Sequence, residues 1–222
     1  MEIPDFEAIR QRVARAASAA GATVRLLAVS KRQPDAAVLA LVALGQTAFG
    51  ENYVQALTAR RVSVADAGIE WHLIGPLQSN KIRAAATHAD WVQSVDRPEM
   101  VRDLARHRPQ AGAPLAVLVQ VNIDAESSKS GCSPDAAVAL CTAIAAQPSL
   151  QLRGLMAIPH AADAPDARRG SFAAMRALFE RLRPEFPGFD TLSMGMSDDF
   201  ELAIAEGATM VRIGTALFGP RA

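Results

Sequence analysis

Cysteine is almost missing from this chain. Its 222 residues hold two, Cys132 and Cys141. That number offers neither a disulfide framework nor the spacing of a metal site, so reduced thiols in a cytoplasmic protein are expected. An excess of charge is missing too. Lys plus Arg total 23 and Asp plus Glu total 23, which leaves no electrostatic footprint for a nucleic-acid partner. No apolar run reaches the roughly 20 residues of a membrane-spanning helix. The opening Met1-Glu2-Ile3-Pro4-Asp5 lacks the basic-then-apolar pattern of a secretory signal. No Gly-x-Gly-x-x-Gly follows the first apolar run, and no Gly-Lys-Ser/Thr phosphate loop occurs. No low-complexity linker divides the chain. A cytoplasmic protein with no membrane and no nucleic-acid partner is expected.

What is present is a regular alternation. Half the residues are hydrophobic and 21% are charged, enough for a large core. Phe6, Ile9 and Val13 recur at helical spacing over residues 4–20, and Gly21 marks the stop. After that, β-type runs are predicted at 24–29, 47–49, 70–74, 90–95, 115–123, 152–157, 190–193 and 209–213. Helical candidates fall between them at 35–44, 53–66, 79–88, 97–108, 134–146, 168–184 and 198–206, with a short segment from Thr215 to Phe218 at the end. The stretch Ala161–Arg169 reads as a polar loop containing proline. The run from Leu115 to Val121 is apolar almost throughout, as in a strand covered on both faces. Strands alternating with helices imply a parallel sheet. The fold expected is α/β, a single (β/α)8 TIM-like barrel with an extra N-terminal helix. A doubly wound sheet is the alternative. One domain, 1–222, is expected, with the helix of residues 1–21 packed on the barrel.

In such a barrel, reactive groups belong at the C-terminal ends of strands. Polar and glycine-rich residues crowd those ends here. Strand 1 runs into Ser30-Lys31, strand 2 into Gly50-Glu51-Asn52, and strand 3 into Gly75-Pro76. A lysine emerging from a buried strand can be held partly desolvated and so become an amine nucleophile. The plain alternative is a solvated surface charge. Gly214-Thr215 follows strand 8 and opens a short helix, where free backbone N–H groups suit a phosphate. Ser197 precedes an acidic first turn; it reads as an N-cap, as a phosphate ligand, or as both. Arg212 lies between apolar residues on the last strand, so it points into the barrel mouth or forms a structural ion pair. An amine, a phosphate cradle and an inward arginine suggest pyridoxal 5′-phosphate. A phosphosugar aldolase would use similar parts.

Longer stretches narrow the choice. They are Leu27–Lys31, Phe49–Gln55, Trp71–Lys81, Val121–Ile123, Ser128–Gly131, Leu152–Pro159, Leu192–Asp199 and Val211–Gly219. In these the chain closely resembles the pyridoxal phosphate homeostasis proteins, whose fold is like the N-terminal part of alanine racemase. The resemblance implies a barrel carrying pyridoxal 5′-phosphate as a Schiff base on Lys31. It implies Ser197, Gly214 and Thr215 at the phosphate and Arg212 at the ring nitrogen, with Asn52, His72 and Met194 nearby. It implies a carrier or regulator without significant catalysis, expected to be monomeric, with apo-enzymes that use the cofactor as recipients. The alternative is an amino-acid racemase. Arginine at the ring nitrogen disfavours its protonation and weakens the ring as an electron sink, although related racemases use arginine too. Racemases also need a second base, commonly a tyrosine from a further β domain, and no such domain is expected here. The one tyrosine, Tyr53, reads as structural or peripheral. Lys81 and Lys129 read as solvated charges, with secondary aldehyde acceptors as the alternative.

Overall fold

Strands built from Val, Leu and Ala without polar alternation need cover on both faces. The chain supplies it by closing the sheet on itself and ringing it with helices. In the computed structural model the described residues are 6–126, 129–159 and 165–219. After helix α1 (Phe6–Ala19) come β1 (Arg25–Val29), α2 (Asp35–Ala43), β2 (Ala48–Glu51), α3 (Val54–Ser63), β3 (Glu70–Leu73), α4 (Ile82–His88), β4 (Trp91–Val95) and α5 (Pro98–His107). The second half holds β5 (Leu115–Gln120), α6 (Pro134–Ala145), β6 (Leu150–Met156), α7 (Pro165–Leu182), β7 (Thr191–Ser193), α8 (Phe200–Ala205), β8 (Met210–Ile213) and α9 (Thr215–Phe218). The strands pair in parallel in chain order, and β1 closes on β8 with Leu27 opposite Arg212. The expected barrel is therefore the fold.

The period of two along each strand divides the apolar residues into separate cores. Phe49, Trp71, Phe172 and Phe200 belong to a large cluster. It also holds the apolar positions of the surrounding helices, such as Val38, Leu104 and Ile144. Two small clusters stand apart, one of Leu27, Val29, Ala48, Ile74 and Met210 and one of Trp91, Ala116, Leu118 and Met156. Helix α1 buries Phe6, Ile9, Val13 and Ala17 and packs on α8 and α9. There Arg12 makes two hydrogen bonds to Glu201, 3.0 and 2.9 Å, and lies over the Phe200 ring. Both cysteines are free and buried, and burial pushes their thiols up to about 11 for Cys132 and about 12 for Cys141. Such thiols are unreactive at neutral pH. Among the described residues no helix is long and apolar enough to cross a membrane.

Several element ends shift by a residue or more from the sequence expectations, and three of these departures have a local cause. Strand β5 stops at Gln120 rather than 123. Val121 instead bridges to Cys132, and the Asn122 side-chain amide donates to the Glu126 carbonyl at 2.7 Å, a local bond that competes with the ladder. The helix expected over 79–88 splits into a tight 3-10 turn, Ser79–Lys81, followed by α4. The helix expected from residue 168 begins at Pro165, so residues 165–167, expected in a loop, belong to α7. Proline and aspartate there are helix starters, because the first turn needs no donor from proline. The rest of that expected loop, 161–164, lies outside the described residues, as does Ser128.

Candidate functional site

Lys31 follows β1 by one residue beyond the buried Ser30 and is half-buried. Its loop is held from below by α3. On that helix Val54, Leu57 and Arg60 recur every third position, and all three are buried. The Arg60 guanidinium donates to the carbonyl of Ser30 at 3.2 Å and to the carbonyl of Gln33. It also pairs with Glu51 at 2.8 Å and with Asp35 at 2.9 Å. These bonds clamp both sides of Arg32, whose φ of 61° is left-handed and costly for a residue with a Cβ. Glu51 is 1% exposed and accepts from the Ser30 hydroxyl at 2.7 Å. Burial pushes its carboxyl up, against the bond from Ser30 and the charges of Arg60 and Lys31.

Lys31 faces a cavity of about 300 Å³ at the C-terminal mouth of the barrel. Asn52, Ser197, Arg212, Gly214 and Thr215 line it, together with Ile158, Met196 and Asp198. Gly75 is also in the lining, and only glycine fits there. A Cβ on it would stand 2.1 Å from the Asn52 carbonyl oxygen. Ser197 does not cap α8; Asp199 occupies that position and its side chain makes no cap bond. The Ser197 hydroxyl instead accepts from the Ala216 N–H at 3.4 Å, joining the loop after β7 to the first turn of α9. The Asp199 carboxylate accepts from the Met196 N–H at 2.6 Å and orders that loop.

Arg212 is 4% exposed. It donates to the Ser193 hydroxyl and to the Ala157 carbonyl, both at 2.8 Å. Burial lowers its guanidinium to about 10, against a raising effect from Asp199, so it stays cationic at neutral pH. Both of these hydrogen-bond partners are neutral, so the ion-pair alternative is not what anchors it.

Of the residues singled out from sequence, the structure brings Lys31, Asn52, Ser197, Arg212, Gly214 and Thr215 to one cavity. His72 and Met194 are fully buried and lie outside its lining. Met194 follows the inward-facing Ser193 and so falls on the other side of the wall, in the large outer cluster. The methionine of that loop that reaches the cavity is Met196. His72 sits two residues below Ile74 on the same face of its segment, beneath the cavity. Tyr53 is 62% exposed at the start of α3 and is not in the lining. Lys81 ends the 3-10 turn before α4, and Lys129 pairs with Glu126 at 2.9 Å. Sequence reading missed the clamp from Arg60. A charged residue in register with Val54 and Leu57 was its signal.

A larger cleft of about 620 Å³ lies at the opposite end, between the loops that precede β5 and β6. Arg102, Arg106 and Arg108 border it, but Arg108 is committed to the carbonyls of Ala86, Ala89 and Ala113. No strand C-terminus opens into it, so the smaller cavity is the better site.

Several known proteins are similar to this chain in sequence and fold. The family model described as alanine racemase, N-terminal domain, matches residues 5–222. A pyridoxal phosphate homeostasis protein of Pseudomonas aeruginosa is 51% identical over 216 residues, covering 96% of this chain and 93% of its own length. The protein of that name from Escherichia coli K12 is 46% identical over 220 residues, covering 96% and 94%. The structure of PipY from Synechococcus elongatus with PLP bound superposes with a TM-score of 0.82 at 37% identity, covering 95% of this chain and all of PipY. An alanine racemase from Corynebacterium glutamicum shares the fold, with a TM-score of 0.72 at 20% identity. This chain covers 62% of that racemase and is itself covered to 97%.

Proposed function

The chain belongs to the pyridoxal phosphate homeostasis protein family, and from that premise we propose that it holds pyridoxal 5′-phosphate on Lys31 as a carrier and regulator. One observation carries the reading. An amine, a buried guanidinium and two hydroxyl-bearing loops meet in a single cavity of about 300 Å³. Bound there, the group would supply an aldehyde for a primary amine and a ring that withdraws electrons.

Each residue then has a defined task. Lys31 Nζ is the amine that would take the aldehyde carbon, with loss of one water. The bonds from Arg60 hold its loop in a fixed conformation. Ser197, Thr215 and the Gly214 and Thr215 amides would donate to the phosphate. Arg212 has N–H donors and no acceptor, so it would donate to the ring nitrogen and keep that atom unprotonated. A weak electron sink suits storage and delivery better than turnover. Lys31, Asp198 and Arg212 are the titratable groups among the described lining residues. Racemisation needs acid–base groups on both faces of a substrate carbon, and the exposed Tyr53 is not placed to be the second. Delivery to apo-enzymes in the cytoplasm by a monomer completes the reading.

Borohydride reduction of the protein loaded with pyridoxal 5′-phosphate, followed by peptide mapping, tests it. Label at Lys31, with the absorbance band lost in a folded Lys31→Ala variant, is expected. A full band in that variant with label on another lysine overturns the assignment.

A further inference from the structure

The interior of the barrel contains a line of polar side chains that the cofactor reading leaves without a task. It starts at Arg212 in the wall of the cavity and ends at the opposite rim. Arg212 Nη1 donates to Ser193 Oγ at 2.8 Å. Ser193 Oγ lies 2.8 Å from Gln93 Oε1, and Gln93 Nε2 lies 2.9 Å from His72 Nδ1. His72 Nε2 lies 2.5 Å from Glu70 Oε1, and Glu70 pairs with Arg25 at 2.8 Å. Ser193, Gln93 and His72 are fully buried. The line joins four strands: β8, β7, β4 and β3.

Its direction is fixed by which atoms can donate. A guanidinium only donates, so the Ser193 oxygen accepts from Arg212 and its hydrogen goes to the Gln93 carbonyl oxygen. The Gln93 amide has two hydrogens. One meets His72 Nδ1 and the other the Met210 sulfur, 3.2 Å away. His72 Nδ1 must therefore accept, which places the ring proton on Nε2, facing the Glu70 carboxylate. Two further observations agree. Burial disfavours a charged His72, against the pull of Glu70. Burial would raise the Glu70 carboxyl, but the His72 bond and the nearby Arg25 hold it well below the usual carboxylate range. Stacking on Trp91, 5.0 Å between ring centroids and 16° between planes, fixes the His72 ring.

We infer that Ser193, Gln93, His72 and Glu70 are positioning residues that act through Arg212. Every bond in the line points away from the guanidinium towards a carboxylate at the far rim. A fixed chain of this kind supports the buried charge of Arg212 through neutral hydrogen-bond partners, Ser193 and the Ala157 carbonyl, with no carboxylate bonded to the guanidinium among the described residues. It also immobilises the guanidinium at one angle to the cavity, with its remaining donors available to a ring nitrogen. An adjacent carboxylate would compete for those donors; a distant one does not. The inference rests on the cofactor reading above.

The test compares pyridoxal 5′-phosphate with its 1-deaza analogue, in which C–H replaces the ring nitrogen. Wild-type protein should bind the parent more tightly. Gln93→Leu and Ser193→Ala should weaken the parent by about 10-fold, the low end of the range for losing one bond to a charged group, and leave the deaza analogue unchanged. The absorbance maximum of the bound parent should shift in both variants. In an Arg212→Met background neither substitution should weaken binding further. Ser193→Ala carries the comparison if Gln93→Leu does not fold. Equal losses for both ligands would show a purely structural role and overturn the inference. Wild-type discrimination retained in both variants would overturn the relay alone. A wild-type protein that binds both ligands alike would overturn the placement of Arg212 at the ring nitrogen, and the relay with it.

Discussion

Replacing Arg60 by methionine isolates the clamp beneath Lys31. Methionine keeps most of the apolar stem and removes the guanidinium. Glu51, 1% exposed, then loses its 2.8 Å partner and keeps the Ser30 hydroxyl. Breaking a buried pair in this way costs about 3–5 kcal/mol. The bond to Asp35 adds little, because that carboxylate is 45% exposed. A chain of this size loses about 2–4 °C of Tm per kcal/mol, so a fall of about 6–20 °C is expected.

The pH dependence gives the reasoning a sign. The folded Glu51 carboxyl lies above its ordinary value of 4.5. Stability from its protonation is present below that ordinary value and is lost as pH rises through the folded value. Without Arg60 the folded value climbs further. The defect should therefore be smaller at pH 5 than at pH 8, and Glu51→Gln added to Arg60→Met should recover much of it at pH 8. Circular dichroism melts of the single and double variants at both pH values measure this. A Tm change under about 3 °C, or a double variant no better than the single one at pH 8, would refute the argument.

Two other outcomes follow from the cavity. Ser197→Ala and Thr215→Ala should each weaken pyridoxal 5′-phosphate by about 1.5–3 kcal/mol, roughly 10- to 150-fold, and leave pyridoxal nearly unaffected; equal losses would show that the hydroxyls do not read the phosphate. Incubating the loaded protein with single amino-acid enantiomers in deuterated water should give no rapid exchange at the α-carbon. Fast exchange with inversion, abolished by Lys31→Ala, would restore the racemase.

The sequence determined the barrel and the positions of its strand ends. Uninterrupted apolar runs such as Leu115–Val119 can only sit in a sheet covered on both faces, and their alternation with helices makes that sheet parallel. Strand ends are local features, so Lys31, Ser197, Gly214 and Thr215 could be read directly, whereas Asn52 as a pocket residue came from the family resemblance. Arg212 was legible as a charge among apolar neighbours. What surrounds these residues was decided by closure of the barrel. Arg60 meets Ser30 and Glu51, and Gln93 meets Ser193 a hundred residues away, because curvature brings distant strands and helices together. Met194 and Met196 look alike in the sequence. Only the phase of β7 relative to the wall sends Met194 into the outer core and leaves Met196 at the cavity.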